Sequence, residues 1–290
     1  MSYFNSPADT GKAFCGIGKA KATNSSVNLI ILGILAGVYI GFGAQLATLV
    51  TSDLAEFMGF GMAKFVSGSV FSLGLILVVL AGAELFTGNS LVFISYLNGN
   101  INGSQLLRNW VIVYFANFAG SLLLVFLMYA SGLWKLDGGG VGANAVMIAN
   151  GKVNLSFGEA VARGILCNWL VCLAVWVAIC SKTVIGKIFG IYFPIMAFVA
   201  SGFEHSIANM FFVPMGISLK GQEALQGALA GASLGNLNWG SFIWSNLVPV
   251  TIGNLIGGVF FVGVIYWYVY VRPQGEDVAS RKEKTISVKS

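Results

Sequence analysis

Charge is the scarcest property of this sequence. Only 9% of its 290 residues are Asp, Glu, Lys or Arg, against about 25% in an ordinary soluble domain. With 57% hydrophobic residues and a mean hydropathy of +0.82, that shortage excludes a soluble globular chain. Histidine occurs once, as His205. There is no Ser-His-Asp spacing, no Walker lysine and no redox cysteine pair, so enzyme chemistry finds no support. The cysteines Cys15, Cys167, Cys172 and Cys180 lack metal-ligand spacing. Three of them share one apolar run and read as core thiols. No metal and no cofactor is expected. A cleavable signal peptide is missing too, because residues 1–26 are polar to amphipathic. The net charge of +5 lies in short loops and tails. That pattern fits the positive-inside rule and no nucleic-acid partner.

What the sequence has is apolar runs of roughly 20 residues, long enough to span a hydrocarbon core. They recur from about 28 to 272. Open sheets cannot cross lipid, and barrel strands would alternate polar and apolar residues. These runs do not alternate, so an all-α integral membrane fold is expected. Six spans are read at about 28–50, 66–97, 109–131, 157–180, 188–215 and 241–271. The second is interrupted near 82–89 and the fifth near 201–209. Residues 1–27 form an amphipathic N-terminal segment, able to lie at the interface or fold over a pore. Residues 273–290 read as a disordered tail. Six spans put both termini on one side. That side receives eleven of the 16 Lys and Arg residues, which predicts cytoplasmic termini.

The spans repeat. Asn109, Asn117 and Gly120 recur in spacing as Asn246, Asn254 and Gly257. Gly82, Glu84 and Asn89 recur as Gly202, Glu204 and Asn209. Three spans per half is an odd number, so the second half inserts upside down as an inverted repeat.

A carboxylate inside an apolar span is costly, so Glu84 and Glu204 need a reason. Both fall where glycine and polar residues break the span. The favoured reading is that each caps the half-helix following it and holds the break in shape. His205 sits in the second break and is read as facing a solute path, because imidazole changes charge near neutral pH. Its repeat partner is Leu85, which makes the path lopsided. The Thr87 hydroxyl, in the first break, can donate to an anion or to the imidazole. Lys152, in the polar stretch before the fourth span, would raise local anion concentration at a vestibule. An ordinary solvated loop lysine explains it as well. Phe71, Leu75, Phe86 and Phe198 can narrow a pore, though packing alone accounts for them.

AGAELFTGN (81–89), ASGFEHSIANMFF (200–212), VTIGNLIGG (250–258) and the Lys152, Asn168, Val171 spacing resemble the formate–nitrite transporter family. The likeness runs to about Arg272. It implies an aquaporin-like fold with helices 2 and 5 broken, and a homopentamer in lipid with one pore per protomer. It implies a channel, or channel-like transporter, for small monovalent anions of weak acids: formate, nitrite, hydrosulfide and sometimes lactate or acetate. Carried over by position, Phe71 and Leu75 form one constriction, and Phe86, Val171 and Phe198 the other. His205 and Thr87 face the chamber between them. Lys152, Asn168 and Asn209 supply positive or donor character. The first break, ELFTGN, looks closer to nitrite or hydrosulfide members, while the His205 segment looks like formate channels. Whether His205 hands a proton to the anion or only attracts it stays open. A neutral-solute pore is a remoter alternative, since neither break contains Asn-Pro-Ala. A structural or sensory protein would have no use for two broken helices.

Overall fold

The computed structural model describes residues 3–272. The tail expected at 273–290 lies outside them. The described residues form helices in the order α1 (Pro7–Thr23), α2 (Ser26–Val50), α3 (Leu54–Gly82), α4 (Gly88–Leu97), α5 (Gly103–Ala130), α6 (Gly140–Val153), α7 (Phe157–Cys180), α8 (Val184–Ala200), α9 (Ser206–Leu219) and α10 (Trp239–Val271). Single turns join several of them. Five helices, α2, α3, α5, α7 and α10, are long and apolar enough to cross a membrane. The fifth expected span is split into two shorter helices, α8 and α9. The second starts at Leu54 rather than near 66. Polar Asp53, Glu56 and Lys64 hid its first turns, which bend at Gly59 (φ 78°).

Packing follows the repeat. Helix α2 lies against α5 as α7 lies against α10, and α1 meets α4 as α6 meets α9. Contact in lipid depends on close backbone approach, which small residues permit. An added Cβ on Gly37 would strike the Asn117 carbonyl, and one on Gly120 would strike that of Ile34. Gly253 and Gly257 are blocked in the same way by Val161 and Ile165. The apolar faces left exposed, such as Phe115, Phe126 and Phe193, suit contact with lipid or another protomer. All four cysteines are free thiols.

Candidate functional site

The two breaks are built alike. Helix α3 ends at Gly82 (φ 85°) and α8 runs out just before Gly202 (φ 75°). Only glycine adopts that left-handed turn without strain. A capping bond closes each turn: Ala83 N–H donates to the Val78 carbonyl at 2.9 Å, and Phe203 N–H to that of Phe198 at 3.0 Å. In the extended stretches, Glu84 N–H donates to Leu32 O and Glu204 N–H to Arg163 O, both at 3.2 Å.

Asparagines from the third span of each half hold the breaks. Asn117 Oδ1 accepts Phe86 N–H at 2.9 Å, and its Nδ2 donates to Gly33 O and Glu84 O, both at 2.8 Å. Asn254 Oδ1 accepts Ser206 N–H at 2.9 Å, and its Nδ2 donates to Gly164 O at 2.8 Å and Glu204 O at 2.9 Å. Both asparagines are fully buried. A backbone group orphaned in lipid costs several kcal/mol or so, and these side chains supply the partner.

The expectation that Glu84 and Glu204 cap the following half-helices is therefore corrected. Among the described residues neither carboxylate accepts a backbone N–H. Glu84 takes the Lys21 ammonium at 2.9 Å on one oxygen and Asn89 Nδ2 at 2.7 Å on the other. Glu204 takes Lys152 at 2.9 Å and Asn209 Nδ2 at 2.6 Å. An ammonium forms the stronger, charge-assisted bond, and the asparagines already serve the helix ends. The networks then close alike, with one added bond in the second, from Asn246 Nδ2 to Glu204 at 3.3 Å. Asn89 also donates to Asn109, which donates to Lys21 O; Asn209 also donates to Asn246, which donates to Lys152 O.

Lys152 belongs to the last turn of α6 and not to a solvated loop. Its ammonium also lies 5.2 Å from the centre of the Phe212 ring. The sequence reading missed its counterpart, Lys21 in α1. Asn209 spends both N–H groups on Glu204 and Asn246, so it has none left for a solute. Asn168 donates to Thr87 O at 3.3 Å, Ser90 Oγ at 3.1 Å and Asn254 O at 2.7 Å. It braces the first break with these bonds.

Two cavities approach the breaks. One, of about 490 Å³, is lined by Lys21, Leu75, Glu84, Leu85 and Asn89. The other, of about 420 Å³, is lined by Phe71, Lys152, Phe198, Glu204, His205 and Asn209. The aromatic grouping expected from position is corrected here. Phe198 meets Phe71 edge to face at 5.7 Å and stacks beside His205 at 6.0 Å. Leu75 lines the opposite cavity. Phe86 packs on Tyr114 at 4.8 Å, and Val171 is buried in the same apolar cluster.

A hydrogen bond joins the two breaks. Thr87 Oγ1 and His205 Nε2 are 2.9 Å apart, and both residues are buried. His205 Nδ1 accepts the Ala208 N–H at 3.0 Å, so the imidazole is the N-cap of α9. An Nδ1 that accepts carries no proton. The neutral ring then bears its proton on Nε2 and donates to Thr87. The Thr87 hydroxyl is left with its own O–H to give.

Comparison with known proteins agrees with this architecture. The Formate/nitrite transporter family model matches residues 8–268. The chain belongs to this family. It is 44% identical to the "Probable formate transporter" of Methanothermobacter thermautotrophicus, covering 93% of this chain and 99% of that one. It is 43% identical to "Formate channel FocA" of Escherichia coli (strain K12), covering 92% and 94%. Among solved structures, a "Pentameric formate channel with formate bound" superposes with a TM-score of 0.77 at 43% identity, over 85% of this chain and 98% of that one. An "FNT family ion channel" gives 0.76 at 29% identity, over 91% and 99%. The protein is thus a multi-pass membrane protein of a transport family and not an enzyme.

Proposed function

We propose that this protein is a homopentameric channel for small monovalent weak-acid anions, formate foremost, in the cytoplasmic membrane. The observation that carries this reading is the buried Thr87–His205 contact joining two matched breaks, with a cavity on each side. In this reading α8 and α9 together complete a sixth crossing, and the halves are inverted repeats with 28–272 as the channel domain. Both termini are cytoplasmic, as the distribution of Lys and Arg supports.

An anion meets a cation at either mouth, Lys21 or Lys152. Each cation is partly neutralised by its glutamate, so the anion is drawn in without being held. Apolar side chains come next. Phe71 and Phe198 narrow the His205 side and Leu75 the other, with Phe86 and Val171 between. Stripping water from a charge there costs several kcal/mol or so. Thr87 offsets part of that cost with its free O–H.

His205 sets the direction of that hydroxyl. The ring's Nδ1 lone pair is occupied by the cap to Ala208, so forming an imidazolium would break the start of α9. This favours a neutral, orienting histidine over a proton donor, and any proton joining the anion comes from the vestibule. The test is flux in proteoliposomes for formate, nitrite, hydrosulfide, chloride and glycerol at several pH values. Formate flux above chloride is expected. Glycerol flux without anion flux overturns the reading, and a preference for nitrite or hydrosulfide reassigns the substrate within the family.

A further inference from the structure

Tyr114 on α5 and Thr251 on α10 share a hydrogen bond of 3.0 Å between their hydroxyls. The two residues are 137 positions apart. The same separation relates Asn109 to Asn246 and Asn117 to Asn254. The bond therefore joins a residue to its own repeat equivalent. A residue can touch its own equivalent only beside a two-fold axis, so this bond lies near the axis of the proposed inverted repeat.

Its surroundings give it more than a stapling role. Phe86 is held twice by α5. Asn117 accepts the Phe86 N–H and fixes its main chain. Tyr114, one turn earlier on the same helix face, meets the Phe86 ring edge to face at 4.8 Å and 73°. A Tyr ring fixed at its hydroxyl cannot slide along its neighbour. Thr251 in turn lies one turn before Asn254, which holds the second break. Phe86 has no aromatic equivalent, because the matching position is Ser206. One side of a symmetric bolt thus positions an asymmetric ring.

We infer that the Tyr114–Thr251 bond positions the Phe86 ring and thereby sets the width that selects small anions over larger ones. This inference rests on the proposed function, specifically on Phe86 as a narrowing residue. Tyr114 and Thr251 are positioning residues and need not touch the solute.

The experiment uses pentamers in proteoliposomes and reads lactate flux relative to formate flux. Tyr114→Phe removes only the hydroxyl, and Thr251→Val removes the partner at similar volume. Each is expected to raise the ratio roughly threefold to tenfold, the range set by one interhelical hydrogen bond in a membrane. The double variant should add nothing to either single change, and Thr251→Ser should keep the wild-type ratio. A wild-type ratio in both single variants overturns the inference. So does a proportional loss of both fluxes with loss of pentamer, which is what a purely structural bolt would give. Phe86→Leu separates the two levels of the argument. If it leaves the ratio unaltered while formate flux persists, Phe86 does not set the width, and the inference falls with that placement while the channel reading stands.

Discussion

Replacing Glu204 by Gln should cost this protein stability before it costs selectivity. The Glu204 side chain is 6% exposed and that of Lys152 is 15% exposed. At 2.9 Å, two unit charges attract by about 6 kcal/mol at an effective dielectric constant of about 20. Desolvation cancels much of this while the pair is intact. Glutamine removes the attraction but leaves the ammonium buried, and removing one partner of a buried pair costs about 3–5 kcal/mol. Its amide keeps one acceptor oxygen but turns an N–H toward either Lys152 or Asn209, which both donate. About 3 kcal/mol is the expected loss. The same change at Glu84 is a built-in comparison. Lys21 is 29% exposed and can regain water, so about half that loss is expected. The assay is thermal unfolding of the detergent-solubilised pentamer, with anion selectivity measured on the same preparations. Adding Lys152→Met to Glu204→Gln should recover part of the loss, because no unpaired charge then remains. Equal losses at Glu84 and Glu204 would refute the burial argument. Full stability with altered selectivity would move Glu204 from the scaffold into the solute path.

Further expectations follow from the same geometry. Asn254→Ala orphans the Ser206 N–H and the Glu204 carbonyl, and should destabilise by about 1–3 kcal/mol at least, read by thermal unfolding. Thr87→Val removes the hydroxyl that meets His205 and should lower formate flux about tenfold, with pentamer assembly unchanged on size exclusion. His205→Gln keeps an acceptor for Ala208 and should leave the pH profile of formate flux in place; a flattened profile would restore the imidazole as proton donor. At the N-terminus, the Ser6 side-chain hydrogen bond holds the Asp9 carboxyl below its usual range. That folded-state preference stabilises α1 above the ordinary carboxylate range and fades as pH falls through the lowered value. Ser6→Ala should remove it along with the N-cap, which is worth about 1 kcal/mol, detectable as faster proteolysis near Thr10.

The parts of the site legible from sequence were those that repeat with identical residues. Glu84 and Glu204, Asn89 and Asn209, and the two pairs of third-span asparagines recur at the same spacing, and all of them hold the breaks or join the networks. What escaped was what the network does chemically. A buried glutamate beside a broken helix suggests a cap, because caps are local and spacing reveals them. The actual partner, an ammonium 63 residues away at Glu84 and 52 at Glu204, is a tertiary choice that spacing does not encode. The bracing role of Asn168 escaped for a related reason. A polar residue in an apolar span suggests a lined path, yet three acceptors from two other segments consume its donors.

Lys21 is different, because a signal for it existed. Lys21, Ser25 and Gly33 have the same spacing as Lys152, Ser156 and Gly164, and both serines are N-caps of the helix that follows. The repeat therefore begins at α1 and not at the first span. This changes how the N-terminal segment should be viewed. If α1 were an accessory lid, nothing would require its lysine to occupy the position of Lys152. As the counterpart of α6, it instead completes the first break: without it, Glu84 is a buried carboxylate with no cation, and Asn109 loses the Lys21 carbonyl it donates to. A channel truncated before Ser25 should therefore be destabilised at Glu84 and not simply opened. Pairing the truncation with Glu84→Gln tests this, because removing the orphaned charge should restore thermal stability to the truncated pentamer. A lid predicts no such rescue.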